Sequence, residues 1–184
     1  MGQVDRDLDV SLVRQAQAGS ETAFAALARR WDARLVAHAW RLLGDREAAR
    51  DAVQMAWLEI VRGLKRLRDP IAFPAWAFRI TTRQAAAIIR RRQGERRLSQ
   101  DLHQAALSEP QSAAQPEPGA DAALYAAIRV LPPDQRAAIA LHHFEGLSVA
   151  ETAVALDAPV GTIKTRLMHA RLKLKAALEG ETHD

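Results

Sequence analysis

Apolar residues return every three or four positions along most of this chain, the period of helices with one buried face. No stretch alternates apolar and polar residues in a way that would demand a sheet. Leu8, Leu12, Val13 and Ala16 open the series, and Gly19 ends it. Ser20 then stands at an N-cap, with Ala23 where a capping-box acid would sit. Behind it Phe24, Leu27, Trp31, Leu35, Ala39 and Leu42 share one face, until Gly44-Asp45 breaks the run. Asp45 caps a third helix, with Ala48, Ala52, Met55, Ile60 and Leu64 expected inward. The basic loop LKRLRDPIAF follows, and a fourth helix is expected from about Pro74 to Arg92. Frequent alanine favours helix and close helix packing.

The pattern then lapses. Gln93 to Ala120 is polar, carries prolines and has few large apolar residues. Burial cannot offset its ordering entropy, so it reads as a flexible linker that lets its neighbours move relative to one another. Its middle, QDLHQAAL, could form a transient helix. Helical periodicity resumes with Leu124, Ile128 and Leu131, stopped by Pro132-Pro133. A second run holds Ala137, Ile139, Ala140, Leu141 and Phe144 and ends at Gly146 in the C′ position. Ser148-Val-Ala-Glu151 is a capping box, in which hydroxyl and carboxylate each satisfy an orphan backbone N–H. The short helix it opens carries Val149, Thr152, Ala153 and Leu156. A three-residue turn, Asp157-Ala158-Pro159, leads to a last helix from about Val160 to Leu178. The chain is therefore expected to be all-α, with two small helical domains at 1–92 and 121–184 and a linker at 93–120.

Composition narrows the chemistry. The 184 residues are 48% hydrophobic and 26% charged, enough to bury a core. Without cysteine there is no disulfide, thiolate zinc site or cysteine nucleophile, and a reducing compartment fits. No apolar run approaches a membrane span, and the acidic start is not a secretory signal. The net charge of +4 divides into about +7 over residues 1–92, −2 over 93–120 and −1 over 121–184. Residues 160–175 nevertheless hold Lys164, Arg166, Arg171, Lys173 and Lys175 and no acid. Two separated basic regions suggest two contacts with a polyanion.

The second region has the pattern of a helix-turn-helix. In the last helix Ile163, Leu167, Ala170 and Leu174 fall within a narrow sector at ~100° per residue. Thr162, Thr165, Met168 and His169 point away from that sector, with Lys164 and Arg166 beside them. Short polar side chains for base edges, flanked by cations for phosphates, suit a helix in the major groove. In the first region, Lys65, Arg66 and Arg68 precede Phe73, Trp76, Phe78 and Arg79, with Arg83 and Arg90 to Arg92 beyond. Interleaved cations and aromatics suit single-stranded DNA, although helical spacing makes at least two of these three aromatics core residues.

Three ordered blocks resemble the extracytoplasmic-function sigma factors of bacterial RNA polymerase. DREAARDAVQMAWLEIVRGL resembles their region 2.2, and FPAWAFRITTRQAAAIIRRR their regions 2.3 and 2.4. LPPDQRAAIALHHFEGLSVAETAVALDAPVGTIKTRLMHARLKLKAAL resembles region 4 almost end to end. The resemblance covers about residues 10–92 and 121–178. It implies an alternative sigma factor in the cytoplasm, with core polymerase, promoter DNA and an anti-sigma factor as partners and no cofactor or metal of its own. Asp51, Gln54 and Trp57 would dock on the polymerase β′ clamp, and the β flap would be a further contact of the core enzyme. The loop from Lys65 to Phe73, with Lys65, Arg66 and Arg68, would receive a base flipped from the minus-10 element. Trp76, Arg79 and Arg83 would lie along the nearby DNA. The last helix would read the minus-35 element through Thr162, Lys164, Thr165, Arg166, His169 and Arg171. The acidic linker would thread the RNA channel.

The sequence departs from the family pattern where Arg83 replaces the frequent Asn and Ala87 the frequent Asp. Arg83 is expected to strengthen phosphate contact at the expense of base discrimination. Asp157 replaces the usual turn glycine. Two rivals are a sigma mimic that binds an anti-sigma factor without initiating transcription, and a plain helix-turn-helix repressor. An enzyme is disfavoured: no nucleophile triad, phosphate-cradling glycine loop or paired carboxylates stand out. His142 and His143 are neighbours about 100° apart on a helix and poorly placed to share an ion.

Overall fold

A computed structural model describes residues 3–102 and 121–180, and among them every regular element is helical. The first unit holds α1 (Gln3–Gln17), α2 (Glu21–Leu43), α3 (Arg46–Gly63) and α4 (Phe73–Leu102). The second holds α5 (Asp121–Val130), α6 (Pro133–Ile139), α7 (Val149–Ala155) and α8 (Val160–Gly180). Local chemistry sets the ends. Ser20 Oγ accepts from Ala23 N–H at 3.2 Å, and Asp45 Oδ1 accepts from Glu47 and Ala48 N–H at 2.9 and 3.1 Å. Gly44 closes α2 at φ 69°, a left-handed backbone that costs glycine little. The Ser148–Glu151 box is closed in both directions, at 3.1 and 2.8 Å.

The first core forms around Trp31, whose ring meets Phe73 and Phe78 edge-on at 5.4 and 5.8 Å. Leu27, Leu35, Val53 and Ile60 close around it. Buried Ala49, Ala52, Ala56 and Ala77 let α2, α3 and α4 approach closely. Each fully buried large side chain contributes roughly 1.5–3 kcal/mol. The second core is smaller and aliphatic: Leu131, Ile139, Ile163 and Leu167, with Ala138, Ala153 and Ala170.

Three expectations change. Met55 is 53% exposed, because Ala52, Ala56 and Ile60 already fill the inner face of α3. Helix α4 begins at Phe73 and runs to Leu102, past the expected end at Arg92. Glu95 and Arg96 favour helix despite Gly94, and Arg91 pairs with Glu95 at i,i+4 and 3.6 Å across the expected end. Of the segment QDLHQAAL, His103 onward lies outside the described residues.

The third change is that the units pack on one another. Leu141, Leu147 and Ala155 of the second unit join the first core. Glu145, nearly buried, meets Arg41 at 2.7 Å and Arg34 at 3.4 Å. Arg136 Nη1 donates to Leu42 O at 2.9 Å, and Arg79 meets Asp157 at 3.1 Å. Burial raises the Glu145 pKa above the usual carboxylate value, and the two guanidinium groups pull it back. A single π-helical turn, Ala140–Phe144, precedes Glu145, whose N–H bonds to Ala140 O at 3.2 Å.

Candidate nucleic-acid interface

The outer face of α3 combines polar and apolar groups. Asp51 and Gln54 stand exposed, as do Met55, Leu58 and Val61, the last two at 47% and 55%. Spacings of three and four residues put all five on one side of the helix. Trp57 lies at the edge of this face, half-buried. Its ring meets Phe24 edge-on at 5.9 Å, and its indole N–H donates to Asp32 at 2.9 Å. The sequence reading missed Leu58 and Val61 as surface residues. The available signal was a second apolar stripe beside the inward one on the same helix.

The loop between α3 and α4 is built from two short 3-10 turns, Leu64–Arg66 and Pro70–Ala72. Asp69 Oδ1 accepts from Ile71 N–H at 2.9 Å, fixing the second turn behind Pro70. Lys65, Arg66 and Arg68 are exposed, and Ile71 is 64% exposed among them. Phe73 is fully buried against Trp31 and Trp76, so its ring is not available to a base in this structure. Phe78 is likewise core. Trp76 is half-buried and lies over Gly63, where a Cβ would come within 2.9 Å of its ring.

Arg79 and Arg83 stand exposed on the outer side of α4. Arg83 is held by Glu59, which also accepts from Gln84 at 3.2 Å, and Arg79 by Asp157. Asp157 takes φ 50°, so the turn that usually takes glycine keeps its left-handed backbone here with aspartate. Behind these arginines His38 is fully buried, stacks edge-on with Phe78 and sits 2.8 Å from Thr82 Oγ1. Burial, with the Arg41 charge in support, pushes its pKa from 6.5 down to about 3.

Helix α8 divides as its sequence implies. Ile163, Leu167 and Ala170 are buried, while Lys164, Thr165, His169 and Arg171 face outward. Thr162 and Arg166 are half-exposed. Thr165 Oγ1 donates to Gly161 O at 3.1 Å, Arg166 pairs with Asp134 at 2.6 Å, and Arg171 Nε donates to His143 Nε2 at 3.3 Å. Burial, then the charges of His142 and Arg171, lowers the His143 pKa. His142 Nδ1 lies 2.7 Å from Leu147 O, so this nitrogen is bound to backbone. Met168 and Leu172 add exposed apolar surface to the basic face. Where the units meet, a cavity of about 410 Å³ is lined by Arg79, Arg83, Arg136 and Arg166, among others. Cations expected to serve two promoter elements thus share one seam.

No helix among the described residues is long and apolar enough to cross a membrane. Residues 27–95 match the model for sigma-70 region 2, and residues 121–174 the model for sigma-70 region 4. The chain is 29% identical to the RNA polymerase sigma-H factor of Pseudomonas aeruginosa, covering 95% of each protein. It is 30% identical to the ECF RNA polymerase sigma-E factor of Escherichia coli K12, covering 89% of this chain and 90% of that one. Among solved structures, it resembles CnrH bound to the cytosolic domain of CnrY, with TM-score 0.70 and 25% identity over 94% of this chain and 98% of that one. It also resembles RpoE bound to the anti-sigma factor NepR from Bartonella quintana, with TM-score 0.70 and 26% identity over 85% of this chain and 96% of that one. With both sigma regions matched in order on an all-helical fold that carries separate candidate protein and DNA faces, the chain belongs to the ECF sigma factors of the sigma-70 family.

Proposed function

We propose that this ECF sigma factor acts in the cytoplasm, brings core RNA polymerase to two-element promoters and opens the minus-10 element. Residues 1–92 serve core and minus-10 binding, 93–120 link, and 121–184 read the minus-35 element. The outer face of α3, with Asp51, Gln54 and the rim residue Trp57, docks on the β′ clamp, where Met55, Leu58 and Val61 supply apolar contact. The second unit meets the β flap. The α3–α4 loop presents Lys65, Arg66 and Arg68 to the strand being opened. Extruding a base costs a few kcal/mol, which a shaped loop recovers for the right base. Arg79 and Arg83 exchange Asp157 and Glu59 for phosphates. Such exposed pairs are each worth about 0–1 kcal/mol, so a polyanion displaces them easily. Phe73 serves by fixing the loop's far end in the core.

One observation carries this reading: α8 spends its apolar side on the second core and leaves Lys164, Thr165, His169 and Arg171 outward, behind a closed capping box. Bound to DNA, the units separate enough to expose the seam arginines. The relatives CnrH and RpoE occur with partner proteins, and an anti-sigma factor that covers the exposed faces is the matching partner here. Transcription from sheared genomic DNA by core polymerase, with and without this chain, tests the function. New starts that share two upstream motifs are expected. Stable core binding without starts would favour the mimic, and absence of core binding the repressor.

A further inference from the structure

Gln17 ends α1 and reaches across the first unit. Its side-chain Nε2 donates to Leu64 O at 2.9 Å and to Leu67 O at 2.7 Å, groups 47 and 50 residues away in sequence. These are the carbonyls on either side of Lys65 and Arg66. A primary amide has two N–H donors, and both are used. The other end of the loop is fixed by the Asp69–Ile71 turn and by buried Phe73. Between the fixed ends Lys65, Arg66, Arg68 and Ile71 stand outward. The side-chain amide of one helix therefore shapes a loop that has little core of its own: Leu64 is its one fully buried side chain before Phe73.

We propose that Gln17 is a positioning residue for promoter opening: by bracketing the first loop turn it holds the cations and Ile71 in the arrangement that captures an unpaired base. This rests on the proposal that the α3–α4 loop contacts the minus-10 strand. The physical reason is preorganisation. A captured base already costs unstacking, and a loop that had to order itself at that moment would add its own entropy to the barrier. Ile71 offers an apolar surface for the displaced base at the rim of the cationic turn, as apolar wedges do elsewhere.

Three variants separate donation from packing. Gln17→Met keeps length and removes both donors, Gln17→Glu places an acceptor against two carbonyls, and Gln17→Lys restores donors. Each full-length chain is assembled with core polymerase on a promoter found by the transcription experiment, with 2-aminopurine in the minus-10 element. Strand opening, base preference at each minus-10 position, core affinity and Tm are measured. Gln17→Met should open about tenfold more slowly, the scale of one or two neutral hydrogen bonds. Gln17→Glu should be slower still and Gln17→Lys should recover most of the rate. Base preference should flatten for Met and Glu on a pre-melted template too, while core affinity stays unchanged. Wild-type opening and preference in Gln17→Met, or a loss that follows core affinity and Tm alone, would overturn the role of Gln17. A triple Lys65→Ala, Arg66→Ala, Arg68→Ala chain runs alongside. If it opens DNA at the wild-type rate, the loop's role falls and that of Gln17 with it. If it is slow while Gln17→Met is not, only the Gln17 proposal falls.

Discussion

The two units use their outward helices in opposite ways. Helix α3 shows Met55, Leu58 and Val61 beside Asp51, Gln54 and Arg62, a face with apolar area and charges of opposite sign that offset each other. Helix α8 shows Lys164, His169, Arg171 and Lys173 around Thr165, a face rich in cations. An apolar face binds by removing area from water and responds weakly to salt. A cationic face binds a polyanion by releasing counterions and responds steeply. The cores differ as well. The first is aromatic and encloses a neutral histidine, and the second is aliphatic.

Salt gives the largest expected separation. If α8 and its flanks neutralise ~4 phosphates, log K for promoter DNA falls against log salt with a slope of roughly −3.6, about a hundredfold loss between roughly 50 and 200 mM. Affinity of the same chain for core polymerase, titrated in parallel, should change far less; equal slopes would erase the distinction between the faces. Next comes Leu58→Asp, which sets a charge in the middle of the apolar strip. Core affinity should drop about thirtyfold, the scale of an interface hot spot. Tm should hold, because the side chain is already half in water. Unchanged core binding would remove α3 from the docking surface.

The smallest effect distinguishes the cores. Folded His38 has a pKa of about 3 against an ordinary 6.5, so the unfolded chain takes up this proton first. Its contribution is complete above pH ~6.5 and is lost as pH falls toward ~3, at most about 1.4 kcal/mol per pH unit. Urea unfolding followed by tryptophan fluorescence reports the first unit, since all four tryptophans lie in it. His38→Gln should flatten its stability profile below pH ~6.5. An equally steep profile in that variant would assign the acid sensitivity elsewhere.

Much of this was legible locally. Ser20, Asp45 and the Ser148–Glu151 box cap helices as their spacing foretold, because a cap concerns residues two or three apart. The inward face of α8 followed from its period. Met55 misled because α3 is apolar on two sides, and periodicity does not say which side meets a core. Phe73 admits two readings in sequence, because an aromatic near cations is equally consistent with stacking on a base and with packing on Trp31; its burial fits the spacing, which makes at least two of the three aromatics core, and not the DNA-facing role the resemblance implies. The role of Gln17 is not legible in sequence, because an amide at a helix end gives no local sign of two carbonyls about 50 residues on.

The sequence alone determined the helical class, the capped helix starts, the helix-turn-helix and its outward residues, and the family. These depend on the order of side chains within one or two turns of helix, where geometry is nearly fixed. Tertiary structure decided that Phe73 is core and Met55 surface, that Gln17 ties down the basic loop, and that Glu145 bridges to Arg34 and Arg41 across more than a hundred residues. Burial and long-range polar pairing depend on which surfaces the helices present to each other, and the pattern along a single helix does not contain that information.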